Sequence, residues 1–241
     1  RIDDTDTARS NPQYTDVILQ TMDWLGLDYD QIVYQSQRQD LYNKHIKRLL
    51  DIDFAKKLDN GAVCFQPPAY PAFWRDQIAG IINISDNDQD AIRGLILIRG
   101  DGTPTYHFAS CVDDVDLNVN LIIRGVDHLS NTAKHVALIP FLDSLLPKFA
   151  HIGLIRKDKK KLSKRDGAAS MLHYRDAGYK PAAMLNYMLR LGWSPSDPNF
   201  DKTNPLISKD DAVKLFFTAG KMRSADSNFD QMKLDWYNKR Y

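Results

Sequence analysis

At 241 residues, with 43% hydrophobic and 26% charged side chains, the chain has the make-up of a soluble globular protein of one large domain or two small ones. Its net charge of +1 lacks the basic excess of a whole-surface nucleic-acid binder, so any contact with a polyanion has to be local. Cys64 and Cys111 lie far apart with no CxxC pairing, which argues against a disulfide framework and excludes a structural zinc site made of cysteines unless histidines supply most ligands; this usage fits a reducing, cytoplasmic setting, and neither a membrane span of ~18–20 apolar residues nor a signal peptide is visible.

Along the chain, the Ser10-Asn11-Pro12 step predicts a helix start, with Tyr14, Val17, Ile18, Met22 and Leu25 at helical spacing and Gly26 as the stop. Residues 37–50 predict a second helix with Leu41, Ile46, Leu49 and Leu50 on one face. From 51 to 98 short apolar runs broken by Pro67, Pro68 and Pro71 predict short strands and turns. The fully apolar runs 95–98 and 121–123 suit buried strands of a parallel sheet. A helix is expected over 131–146, two helical pieces over 171–192 split at Gly178-Tyr179-Lys180-Pro181, and another over 209–218. Strands alternating with helices favour an α/β architecture.

Three polar constellations interrupt this pattern. The first is RIDDTDTAR at 1–9. The second is DGTPTYHFA at 101–109, followed by Val112-Asp113-Asp114 and by Ile123-Arg124-Gly125-Val126-Asp127-His128-Leu129. The third lies in RKDKKKLSKR at 156–165, which holds seven basic side chains and one acid and runs on into Asp166, Gly167 and Ala168. No apolar pattern rises above its charge, so it cannot form core; it can clamp a polyanion or remain a solvated charge run. Singly, an Asp-rich turn or a Tyr-His pair is more often structural.

Together and in this order, the three resemble the catalytic domain of bacterial-type glutamyl-tRNA synthetases, class I enzymes with a nucleotide-binding core. The likeness continues through Leu191-Gly192-Trp193-Ser194 to Lys233-Leu234-Asp235-Trp236-Tyr237-Asn238, nearly the whole chain. It implies an α/β fold: a Rossmann-like class I synthetase catalytic core, with an inserted connective region and a helical stem-contact extension. The implied domains are 1–36 with 95–195 (catalytic), 37–94 (connective, acceptor-binding) and 196–241 (stem-contact). The implied activity is ATP-dependent ligation of glutamate to tRNA(Glu) through a glutamyl-adenylate, in a cytoplasmic monomer, with Mg²⁺ on the phosphates and no metal site in the chain itself.

By the same resemblance, KLSKR corresponds to the mobile signature loop, commonly KMSKS, whose lysines meet the ATP phosphates. Lys164 is then the catalytic cation on developing pyrophosphate charge, with Lys161 in support; Ser163 and Arg165 join them at ATP, and Asp127 and His128 border it. Lys157, Lys159 and Lys160 form a solvated rim. The glutamate side chain needs a fixed cation and a hydroxyl donor, and Arg124 and Tyr106 are assigned to it. Asp3 stands where the family's RIEDTD motif has its acidic residue facing the substrate amino group, one methylene shorter than Glu. Ser110 stands at a glutamate-pocket position where some relatives have Asn. His107 is expected to be a packed histidine, and Asp113 and Asp114 structural acids at a strand end.

The family's glycine-rich strand and HIGH-like tetrapeptide would lie before Arg1, and an anticodon-binding domain after Tyr241, so the chain is expected to be part of a longer enzyme. The connective insertion between Leu50 and Ile84 reads as shortened, with Leu50-Asp51-Ile52-Asp53 joined directly to Phe54-Ala55-Lys56-Lys57. The alternatives are a non-catalytic tRNA-binding paralogue and a glutamyl-queuosine-type relative that glutamylates a modified tRNA base. The continuation to Leu234-Asp235-Trp236 speaks against the latter.

Overall fold

A computed structural model describes residues 1–5, 10–157, 160–161, 171–196, 204–218 and 220–241. Its first half contains α1 (Pro12–Leu25), α2 (Gln39–Asp51), β1 (Ala55–Lys57), β2 (Val63–Phe65), β3 (Phe73–Asp76), β4 (Gly80–Asn83), α3 (Asp86–Arg93), β5 (Ile96–Ile98) and α4 (Tyr106–Asp116). There follow β6 (Leu121–Gly125), α5 (Leu129–Leu138), β7 (Lys148–Ile152), β8 (Ile155–Lys157), β9 (Lys160–Lys161) and α6 (Met171–Asp176). The last elements are α7 (Pro181–Gly192), β10 (Trp193–Pro195), α8 (Lys209–Thr218), β11 (Gly220–Met222), β12 (Ser227–Asn228) and α9 (Gln231–Asn238). Two compact units result: Arg1–Asn11 with Gln31–His151, and Pro12–Asp30 with Ile152–Tyr241.

In the first unit, β3 runs parallel to β7 within a four-stranded sheet ordered β4-β3-β7-β6, and β3 and β4 form an antiparallel hairpin. A second sheet, β1-β2-β5, is antiparallel throughout. The run 95–98 therefore lies in an antiparallel sheet, not a parallel one, while 121–123 falls on β6 with Leu121 and Ile122 half-buried and Ile123 exposed. An apolar run signals burial but carries no strand direction, which is decided by the pairing partner. Tyr42, Leu49, Phe65, Ile92, Leu97, Phe108, Leu138 and Phe149 close the core between these sheets and helices.

Two helices depart from expectation for local reasons. α3 arises in a segment read as strands and turns. Ser85 caps it, its Oγ accepting from Asp88 N at 3.2 Å, and Ile92 alone of its residues is buried, so its polar sequence hides the apolar period. α5 stops at Leu138 and tightens into a 3₁₀ turn over Ile139–Leu142, because Pro140 cannot continue the α-helical ladder. Asp113 and Asp114, expected at a strand end, lie on the buried side of α4, which Thr105 caps.

The second unit gathers Leu25, Tyr174, Ala183, Met184, Tyr187, Leu234 and Tyr237 around α7, which packs on α9. Pro181 opens α7 and Gly178, at φ +83°, makes the preceding turn. α1 starts at Pro12 and stops at Gly26 (φ +63°), yet Tyr14, Val17 and Ile18 of its apolar stripe are exposed. An apolar groove of about 770 Å³ is lined by Leu25, Leu185, Leu189, Val213, Phe216 and Tyr241 among others.

Candidate active site

The first unit collects buried polar side chains from elements far apart in sequence. Ile2 forms a parallel bridge with Tyr34, its N–H donating to Val33 O at 2.8 Å and its carbonyl accepting from Gln35 N at 3.1 Å. That bridge holds Arg1 and Asp3 on either side of it. The Arg1 guanidinium donates to Asp3 Oδ1 (2.7 Å), to Asp114 Oδ1 (2.5 Å) and to the Ser110 carbonyl (3.2 Å). Behind it the fully buried Asp113 carboxylate accepts from Arg38 Nε at 2.7 Å, Gln35 Nε2 at 2.8 Å and the Tyr42 hydroxyl at 3.0 Å. Burial, and then the Asp113 charge, push the Tyr42 phenol well above its usual range, so it stays a donor. The Asp3 carboxylate, 38% exposed, keeps a face to solvent while one edge rests on Arg1.

Arg124, on β6, is anchored from behind. Its Nη2 donates to Thr132 Oγ1 at 2.6 Å, its Nε lies 3.4 Å from His151 Nε2, and its Nη1 lies 3.5 Å from the hydroxyl of Tyr106, the first residue of α4. Burial raises the Tyr106 phenol, which feels Arg124 and Arg1 as opposing cations and Asp3 as a reinforcing anion. The predicted glutamate residues thus fall together: Arg124 beside Tyr106, and Asp3 linked through Arg1 to the Ser110 carbonyl. Ser110 itself is buried, and its hydroxyl has no hydrogen-bond partner among the described residues.

Asp127 and His128 occupy the 3₁₀ turn Val126–His128 directly after β6, with Asp127 exposed and Asn131 Nδ2 3.1 Å from His128 Nδ1. His107 packs its ring on Tyr106 and on the buried His135, with Nδ1 3.3 Å from His135 Nε2. Burial, aided by the Lys134 and Arg124 charges, lowers the His107 pKa to about 4. The backbone of Lys161 pairs with Arg156 across β8 and β9. Ser163, Lys164 and Arg165 lie outside the described residues, as does the side chain of Lys161.

The site holds three residues that sequence reading passes over: Asp76 at the end of β3, Thr132 on α5 and His151 on β7. All three are buried, and they connect Arg124 to a carboxylate. The available signal was slight: one histidine inside the apolar strand Lys148–Ile152, and one acid before a hairpin turn. Chemically, a fixed guanidinium beside a phenol hydroxyl suits a carboxylate guest, and an exposed carboxylate near them suits an ammonium group. Among the described residues no cluster of three His, Cys, Asp or Glu could cage a metal ion.

Residues 1–60 and 63–236 match the family described as tRNA synthetases class I (E and Q), catalytic domain. The chain is 37% identical, over 279 residues, to glutamate–tRNA ligase 1 of Campylobacter hominis, and 36% identical, over 276 residues, to the glutamate–tRNA ligase of Nitratidesulfovibrio vulgaris. Each alignment takes in 100% of this chain but 59% and 58% of the relative, so the chain spans somewhat over half the length of the curated relatives it matches. Among solved structures, a glutamate tRNA ligase from Elizabethkingia meningosepticum, crystallised in complex with its amino acid, superposes with a TM-score of 0.83 at 27% identity, covering 100% of this chain and 62% of that one. The mixed α/β fold is that of the class I synthetase catalytic core. The chain therefore belongs to the class I tRNA synthetases of the glutamate and glutamine group, as a catalytic domain.

Proposed function

We propose that the protein carrying this chain ligates glutamate to tRNA(Glu) with ATP, and that Arg124 and Tyr106 recognise the glutamate side-chain carboxylate. The observation that carries this reading is the Arg124 guanidinium, braced by Thr132, with its Nη1 toward the Tyr106 hydroxyl at 3.5 Å. A fork and a hydroxyl so arranged match a carboxylate; the neutral amide of glutamine would leave the cation uncompensated. Asp3 receives the substrate ammonium group, and Ser110 contributes through its carbonyl, which accepts from the Arg1 guanidinium that also holds Asp3, its own hydroxyl being buried.

The α-carboxylate oxygen of glutamate attacks the α-phosphorus of ATP as the bond to the bridging oxygen breaks, giving glutamyl-adenylate and pyrophosphate. A ribose hydroxyl at the tRNA 3′ end then attacks the acyl carbon and AMP departs. Both steps depend on positioning and on charge neutralisation. Lys164, with Lys161, Ser163 and Arg165, meets the phosphates, and Asp127 and His128 border the nucleotide. Mg²⁺ enters on the ATP phosphates, in keeping with its preference for phosphate oxygens and water over all-protein cages. Residues 1–36 with 95–195 act as the catalytic domain, a shortened 37–94 contacts the acceptor end, and 196–241 contacts the stem. The relatives' alignments run to 276–284 residues against 241 here, so the relatives carry additional residues somewhere within the aligned span. The enzyme works as a monomer in the reducing cytoplasm, a setting consistent with two buried free thiols. No helix among the described residues is long and apolar enough to cross a membrane.

The test is glutamate-dependent ATP–pyrophosphate exchange, with and without bulk tRNA, on this chain and on a version extended upstream in its own reading frame. Exchange by the extended form supports the ligase reading, and exchange by neither favours a tRNA-binding paralogue. In the active form, Lys164→Ala should raise the activation barrier by about 3 kcal/mol. An unchanged rate would remove Lys164 from the phosphate site.

A further inference from the structure

The three residues behind Arg124 form a chain of hydrogen bonds with one sense. Asp76, 2% exposed, accepts from the N–H groups of Ile78 and Ala79 at 2.9 Å each and from His151 N at 3.3 Å. These donors favour the ionised carboxylate, and its Oδ2 sits 2.6 Å from His151 Nδ1. An acceptor-only carboxylate obliges Nδ1 to carry the proton, which leaves Nε2 with a lone pair in the neutral ring. Nε2 faces Thr132 Oγ1 at 2.9 Å and Arg124 Nε at 3.4 Å, and Thr132 Oγ1 in turn accepts from Arg124 Nη2 at 2.6 Å. The one Thr132 hydroxyl proton has two acceptors, His151 Nε2 at 2.9 Å and the His128 carbonyl at 3.1 Å; given to the nearer Nε2, it completes a series of donations that runs from Arg124 to Thr132 to His151 to Asp76. Burial holds the His151 pKa below its ordinary value in spite of Asp76, so the ring keeps the neutral form this order requires.

The opposite tautomer would turn an Nε2–H against the Arg124 Nε–H and leave an Nδ1 without a proton against the Asp76 carboxylate; Thr132 does not decide between them, since its hydroxyl can also accept from Nε2–H and donate to the His128 carbonyl. The residues come from β3, β7, α5 and β6, so the chain also ties the guanidinium to three further elements of the first unit. From this geometry we infer that Asp76, His151 and Thr132 are positioning residues that fix the guanidinium plane of Arg124, and so set selectivity for the acidic side chain. The inference rests on the reading of Arg124 as the glutamate-binding cation.

The decisive substitution is Asp76→Asn. It is isosteric but presents an amide N–H to Nδ1 and so reverses the histidine tautomer, as the same exchange does in the catalytic triad of serine proteases, where the geometry survives but the proton sits on the wrong nitrogen. In the exchange-active form, Asp76→Asn should raise the glutamate KM at least about tenfold, with the ATP KM within about twofold of wild type. Long-range ¹H–¹⁵N spectra of His151 should show protonation move from Nδ1 to Nε2. Thr132→Val should repeat the rise in glutamate KM, and Thr132→Ser, which restores the hydroxyl, should recover it; a role confined to packing would give the reverse order. Equal rises in both KM values, no rise, or a wild-type His151 already protonated at Nε2 would overturn the inference. Arg124→Ala separates it from the reading beneath. If that variant loses glutamate selectively while Asp76→Asn and Thr132→Val do not, the positioning chain is wrong and the glutamate pocket stands. If Arg124→Ala affects glutamate and ATP alike, the pocket itself is misplaced.

Discussion

The two units solve burial in different ways. Among the described residues, the buried polar and charged side chains are Gln35, Asp76, Ser110, Asp113, Asp114, Thr132, His135 and His151 in the first unit, and Asn186 alone in the second. The second relies instead on Tyr174, Tyr187, Tyr237 and Leu234 around α7, with Tyr hydroxyls reaching partners such as Asp230 N. A buried polar network contributes little net stability and is intolerant of losing one member, whereas an apolar core tolerates change in proportion to volume. The contrast places the buried directional polar network in the first unit and a largely apolar and aromatic core in the second.

That contrast can be broken most sharply at Asp113. Asp113→Ala leaves Arg38 and the Tyr42 hydroxyl facing each other without their shared acceptor, and should destabilise the protein by about 3–5 kcal/mol in urea unfolding. Combined with Tyr42→Phe the loss should be less than the sum, since both substitutions remove the same bond; strict additivity would mean that the network is not coupled. In the second unit Leu234→Ala should cost about 2–5 kcal/mol through its cavity alone, and the loss should be the same at pH 7 and pH 5.

Acidity offers a third way to separate the units. Burial depresses His107, His135 and His151 of the first unit below the ordinary 6.5, His107 to about 4. The unfolded chain then binds more protons than the folded one between these values, so stability falls as pH drops from 6.5 toward 4. Burial opposes ionisation of Asp76, but its backbone and His151 donors outweigh that and hold the carboxyl below 3.8, so it acts only at lower pH. Melting midpoints should therefore decline across this window, and His107→Gln should flatten part of the slope. A flat profile in the parent protein would contradict neutral, buried rings. The smallest effect is expected at the exposed Arg48–Asp143 pair, where Arg48→Ala should leave the urea midpoint unchanged within error.

Much of the fold was legible because punctuation is local. Pro12, Gly26, Gly178 and Pro181 mark helix ends by the backbone angles they permit, and the helix boundaries follow them. The motif residues Asp3, Tyr106, Ser110 and Arg124 were legible through the resemblance of their motifs, in order along the chain, to those of the synthetase family. α3 was not, because a cap and one buried Ile92 suffice when tertiary contacts supply the rest. Nor was the direction of 95–98, which depends on a partner strand some thirty residues upstream in the chain.

By itself, then, the sequence determined the family, the helix punctuation and the kinds of group in the polar motifs, carried by residue type, spacing and the order of the motifs along the chain. Only the tertiary structure decided what stands behind those groups. Asp76, Thr132 and His151 become one proton-ordered chain beneath Arg124 because β3, β6 and β7 share a sheet and α5 packs on it. A hydrogen bond forms over about 3 Å of space whatever the separation in sequence, and no local pattern encodes that meeting.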